Sequence, residues 1–108
     1  MRVRYRARAL ADIDAIFAYL NERSPSGATN VLRAIADAIS SIGENPLAAT
    51  RTSDPEIRVK TIGRYRYRIF YSVVGDASVE ILHVRHAVRR PWDVDGFGST
   101  NAPRTSPL

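Results

Sequence analysis

The residues of this sequence best suited to chemistry are cations in alternate positions. Arg64, Arg66 and Arg68 recur at every second residue, and so do Arg58 and Lys60 a little earlier. In extended chain such side chains share a face, with neighbours roughly 6–7 Å apart. A row of this kind can hold several phosphates or carboxylates at once, because the guanidinium fork binds them through paired hydrogen bonds. Arg68 lies inside the run Tyr67–Tyr71. An unpaired charge is costly there, so Arg68 is expected to have a partner or to line a groove.

His83 and His86 are the two histidines, and histidine can pass protons near neutral pH. Alternation puts them on opposite faces if their strand continues that far, which makes them a poor metal pair. No metal and no cofactor are expected. His83 reads as a hydrogen-bonded structural residue, whereas His86 beside Arg85 and Arg89 is open to a structural or a binding role. Asp12 and Asp14 read as solvated charges near a helix start, where the dipole favours them. Tyr5, Tyr19, Tyr65, Tyr67 and Tyr71 read as core or interface residues. The chain has no cysteine, no phosphate-binding loop and no Ser/His/Asp set.

These side chains need a scaffold, and the hydrophobic pattern supplies one. Residues 2–7 alternate Arg2, Arg4 and Arg6 with Val3, Tyr5 and Ala7, as a strand with one polar side does. Ala9 to Arg23 reads as a helix with a stripe of Leu10, Ile13, Ile16, Phe17 and Leu20. Ser24-Pro25-Ser26-Gly27 breaks it. A second helix runs from about Ala28 to Glu44, with Val31, Leu32, Ile35, Ile39 and Ile42 as its stripe, and Asn45-Pro46 ends it. Two such helices form an antiparallel hairpin that must cover a sheet. Residues 47–56 read as a polar loop. Strands follow over 56–62, 64–74 and 78–85, with Gly75-Asp76 as a hairpin turn. Short links between them imply an antiparallel meander, which the first strand is expected to join. The fold class is α+β.

With 108 residues there is room for one domain, assigned to residues 1–93, and 94–108 reads as a flexible tail without periodicity. No apolar run reaches the length of a membrane span and no secretory signal is evident, so a cytoplasmic protein is expected. The net charge is +5, and residues 51–90 hold nine basic residues against four acidic ones. An acidic partner, nucleic acid or protein, is implied.

The ordered set of segments resembles the RelE/ParE toxin superfamily over roughly residues 2–92. The likeness is carried by Ala9-Leu10-Ala11-Asp12-Ile13 with Phe17-Ala18-Tyr19-Leu20, by Glu44-Asn45-Pro46, by Tyr65-Arg66-Tyr67-Arg68-Ile69-Phe70-Tyr71, and by Ile81-Leu82-His83-Val84-Arg85-His86. The family consists of growth-inhibiting proteins silenced by a cognate antitoxin. RelE-like members are similar to metal-independent ribonucleases that cut mRNA on the ribosome, whereas ParE-like members act on DNA gyrase.

On the RelE pattern the resemblance implies catalytic roles for Arg58, Lys60 and Arg68. A base must free the ribose 2′-hydroxyl, cations must stabilise the phosphorane, and an acid must protonate the leaving oxygen. Lys60 can be that base only if neighbouring arginines lower its pKa. The usual Tyr or His after the last strand is missing from Ala87-Val88-Arg89-Arg90-Pro91-Trp92-Asp93, and the ending is more similar to ParE-type chains. The expected reading is therefore a ParE-like gyrase poison. It would use Arg64, Arg66, Arg85, His86, Arg89, Arg90 and Trp92 for target or antitoxin binding. The alternatives are a RelE-like ribonuclease and a non-toxic basic nucleic-acid-binding module. An antitoxin would lay an acidic amphipathic segment over the sheet and the helical hairpin, giving a hetero-oligomer.

Overall fold

A computed structural model describes residues 1–86. Strand β1 (Arg2–Tyr5) leads into helices α1 (Ala7–Asn21) and α2 (Pro25–Glu44). Four strands follow: β2 (Thr50–Arg51), β3 (Arg58–Ile62), β4 (Tyr67–Val74) and β5 (Ser78–His86). They form one sheet in the order β1-β5-β4-β3-β2. Strands β2 to β5 run antiparallel, and β1 joins β5 in parallel, with Val3 opposite Val79 and Tyr5 opposite Ile81. This is the α+β arrangement read from the sequence, with two helices on one side of the sheet. No helix among the described residues is long and apolar enough to cross a membrane.

Local chemistry explains the boundaries. The Ser24 hydroxyl accepts the Gly27 N–H at 3.1 Å, and Pro25 occupies the first turn of α2, where its missing N–H costs nothing. The helix therefore opens at Pro25, three residues before the start expected at Ala28. Its far end stops at Asn45, before Pro46. There Gly43 is packed so closely that an added Cβ would stand 3.2 Å from the Val3 side chain. The turn between β4 and β5 uses Gly75 at φ 63, a conformation open to residues without a Cβ.

The core lies between the helices and the middle strands. Val31, Ile35, Ile39 and Ile42 of α2 meet Ile69 and Tyr71 of β4 and Val79, Ile81 and Val84 of β5. Helix α1 contributes less than its stripe suggests. Ile16 is buried, and Ile13 and Leu20 pack against the core, but Leu10 and Phe17 remain exposed on its outer flank.

Two strand expectations are corrected. The segment expected to start a strand at residue 64 instead turns over 63–66, and β4 begins at Tyr67. Arg66 sits at φ 61 with its N–H bonded to the Ile62 carbonyl, so Arg64 and Arg66 belong to a tight reversal and not to a row with Arg68. Within the loop expected over 47–56, Thr50 and Arg51 pair with Val59 and Arg58 and add an edge strand. Arg89, Arg90, Trp92 and the tail assigned to 94–108 lie outside the described residues.

Candidate functional site

The sheet has one face under the helices and one face open, and strand parity decides which side chain meets which. Tyr67, Ile69 and Tyr71 of β4 point to the helices and are buried. Their partners on β3 are Ile62, Lys60 and Arg58, which therefore share that covered side. Arg68 lies between them in sequence and points the opposite way, onto the open face beside its β5 partner Arg85. The three residues assigned to catalysis are thus not brought together. Arg58 and Lys60 are on one side of the sheet and Arg68 is on the other.

On the covered side Arg58 has a clear structural task. Its Nη1 donates to the Leu47 carbonyl at 3.1 Å and to the Ala49 carbonyl at 2.9 Å, pinning the segment that leaves α2. Tyr71 works beside it, its hydroxyl donating to the Pro46 carbonyl. Burial pushes the Tyr71 phenol pKa up, against the opposing influence of Arg58 and of the Ala49 backbone. Lys60 lines a small cavity of about 190 Å³ with Ser41, Asn45, Thr50, Thr61 and Tyr71.

On the open face the larger groove lies, about 660 Å³ in volume. Its apolar floor is Ile57, Phe70 and Leu82, and Arg6, Arg8 and Arg68 stand around it. One wall is the turn of residues 52–57, which is held by its own hydrogen bonds. The Thr52 hydroxyl donates to the Ile57 carbonyl at 2.9 Å, and Asp54 Oδ1 accepts the Glu56 N–H at 2.9 Å. A β-bulge shapes the floor. The partners of Phe70 and Tyr71 are His83 and Ile81, so Leu82 is an extra residue in β5, and the strand presents Leu82 and His83 together to the groove.

His83 is fixed by Asp12 from α1. Asp12 Oδ2 lies 3.1 Å from His83 Nδ1 and accepts the Val84 N–H at 3.0 Å, while Oδ1 accepts from Arg8 Nε at 3.1 Å. The position is forced by the sheet: β1 stops opposite Ile81, so the Val84 N–H has no strand partner on that side, and Asp12 supplies the acceptor. Burial alone would raise the Asp12 pKa, but the bonds from His83, Val84 and Arg8 outweigh it and hold the carboxyl below its usual range. Asp12 is therefore a half-buried anchor, not the solvated charge expected, whereas His83 has the hydrogen-bonded structural role anticipated. His86 points to the other side, packing edge-on against Tyr67 with ring centres 5.0 Å apart. Among the described residues no three His, Cys, Asp or Glu side chains converge as a metal would require.

Sequence reasoning missed Arg6, Arg8, Phe70 and Leu82 as groove residues. The alternation of Arg2, Arg4 and Arg6 was visible, but only the pairing of β1 with β5 joins it to the face that carries Arg68.

Comparison with known proteins agrees with this architecture. A family model described as ParE toxin of type II toxin-antitoxin system, parDE, matches residues 3–91. A Sinorhizobium fredii protein, Y4kP, whose name marks it provisionally as a toxin, is 33% identical over 86 residues. That match spans 80% of this chain and 88% of the relative. A solved structure of the chromosomal ParDE system from P. aeruginosa superposes with a TM-score of 0.71 at 22% identity, over 81% of this chain and 96% of that one. The isolated E. coli RelE toxin superposes at 0.58 with 16% identity, over 90% and 95% of the two chains. At such identities the likeness to the solved structures is one of fold.

Proposed function

The chain belongs to the ParE toxin family of type II toxin–antitoxin systems, and from that premise we propose that it stops bacterial growth by trapping DNA gyrase on cleaved DNA. It acts as a binder, and a cognate antitoxin keeps it silent in the cytoplasm.

The observation that carries this reading over a ribonuclease is the division of the cations between two faces. Cleavage of RNA needs a base, an acid and stabilising charge around a single phosphate. Arg58 and Lys60 lie on the helix-covered side and Arg68 on the open side, so one phosphate cannot meet all three. Arg58 is moreover engaged with two backbone carbonyls.

The antitoxin reading follows from the open-face groove. An acidic amphipathic segment would set its carboxylates on Arg6, Arg8 and Arg68 and its apolar side chains on Ile57, Phe70 and Leu82. Exposed Leu10 and Phe17 on α1 offer the helical hairpin as a second apolar contact. The segment would order itself on binding, which gives a hetero-oligomer.

Induction of the toxin alone, followed by examination of plasmid topology and total RNA, tests the target. Trapped cleaved DNA with intact mRNA is expected; ribosome-phased cuts in mRNA would overturn the proposal. Co-expression with the cognate antitoxin should restore growth. Lys60→Ala should remain toxic, because no catalytic base is at stake.

A further inference from the structure

The first eight residues hold four arginines, and two of them, Arg2 and Arg4, lie outside the groove proposed for the antitoxin. Arg2, Arg4 and Arg6 lie opposite the β5 stretch Ser78–Glu80 and just beyond it, on the open side of edge strand β1, and all three are exposed. Arg8 follows in the first turn of α1, and Arg6, Arg8 and Arg68 meet around one groove. The row along β1 therefore runs on across the open face to β4. Among the described residues Arg2, Arg4 and Arg68 make no ion pair, whereas Arg6 reaches Glu80 at 3.4 Å and Arg8 reaches Asp12 at 3.1 Å.

We propose that this arginine row is a docking track for the phosphate backbone of duplex DNA, so that the toxin touches the nucleic acid itself as well as a protein target. Charge on an edge strand commonly serves to block pairing with other sheets. That purpose does not explain Arg68, which sits on an interior strand two places in from β1. Alternate residues of a strand are roughly 6.6 Å apart, close to the rise of two phosphates along one DNA strand, about 6.8 Å. Arginine forks fit phosphate oxygens, and three unpaired guanidinium groups lose no internal partner on binding. The choice of DNA over RNA rests on the gyrase reading; the phosphate track itself does not.

The test is fluorescence anisotropy of the full chain, released from its antitoxin, with a labelled duplex of mixed sequence and no gyrase present. With five contacts the affinity should fall roughly 500-fold between 50 and 200 mM salt. Replacing Arg2, Arg4 and Arg6 together by Ala should leave about a 12-fold dependence over the same range. The triple Lys variant should restore the steep dependence, and Arg33→Ala on the outer side of α2 should change nothing. Circular dichroism melting checks that the triple variants fold. Absence of salt-dependent binding, or an unchanged slope in the triple Ala variant, overturns the proposal. So does tighter binding of single-stranded RNA of equal length. If gyrase is still poisoned when DNA binding fails, only the track is lost; if DNA binds while gyrase is untouched, only the gyrase reading is.

Discussion

Arg58 of β3 and Arg68 of β4 lie on adjacent strands, three register positions apart and on opposite faces, and they have opposite fates. Arg58 faces the helices, gives its donors to the carbonyls of Leu47 and Ala49, and holds the chain as it leaves α2. Arg68 faces outward with no ion pair among the described residues and rims the open-face groove of about 660 Å³. The same side chain is thus a brace in one place and, in the function proposed above, a binding group in the other. Strand parity and the presence or absence of unsatisfied carbonyls opposite decide which. A count of arginines along the sequence treats the two alike.

Substitutions should separate the faces by what they damage. The largest effect is expected at the seam, where Asp12→Ala leaves the Val84 N–H and His83 without their acceptor. A loss of about 3 kcal/mol in urea-unfolding stability is expected. The pH dependence has a definite sign. Because the folded Asp12 pKa lies below that of a free aspartate, its contribution is fully present above about pH 4. It disappears as pH falls through the lowered folded value. Asp12→Asn should therefore flatten the acid limb of the stability curve in that window, and an unchanged limb would remove Asp12 as its source.

Arg58→Ala should cost about 2 kcal/mol by freeing two carbonyls on the covered side. Tyr71→Phe, which removes only the bond to Pro46, should cost about 1 kcal/mol. Arg68→Ala should alter stability by less than about 0.5 kcal/mol, while weakening antitoxin binding in a titration of the purified partners. Should Arg68→Ala prove as destabilising as Arg58→Ala, the contrast between brace and binding group collapses.

Much of the fold was legible because periodicity is a local property. The helical stripes, the Ser24-Pro25 start, the Asn45-Pro46 stop and the Gly75 turn each announce themselves within a few residues. The candidate site was less legible because it depends on partners far away. Alternation over 56–62 sets Ile57 and Val59 against Arg58 and Lys60, but only the pairing with β4 shows that Arg58 and Lys60 take the covered side. Beyond β4 that side looks onto the loop after α2, where polar carbonyls await donors. Arg64 and Arg66 extend the alternation of Arg68 on paper, but a reversal ending at φ 61 intervenes. Asp12 looked like a surface acid because the bare strand edge it serves lies 72 residues ahead of it.

The parallel seam between β1 and β5 has a further consequence for synthesis. Residues 2–5 can find their register only against residues 78–81, so the emerging polypeptide must hold its first strand unmatched through both helices and three other strands. Closing so long a loop makes this step slow. A nascent chain therefore lacks the finished arginine surface until residues 78–81 have been made and have met the first strand.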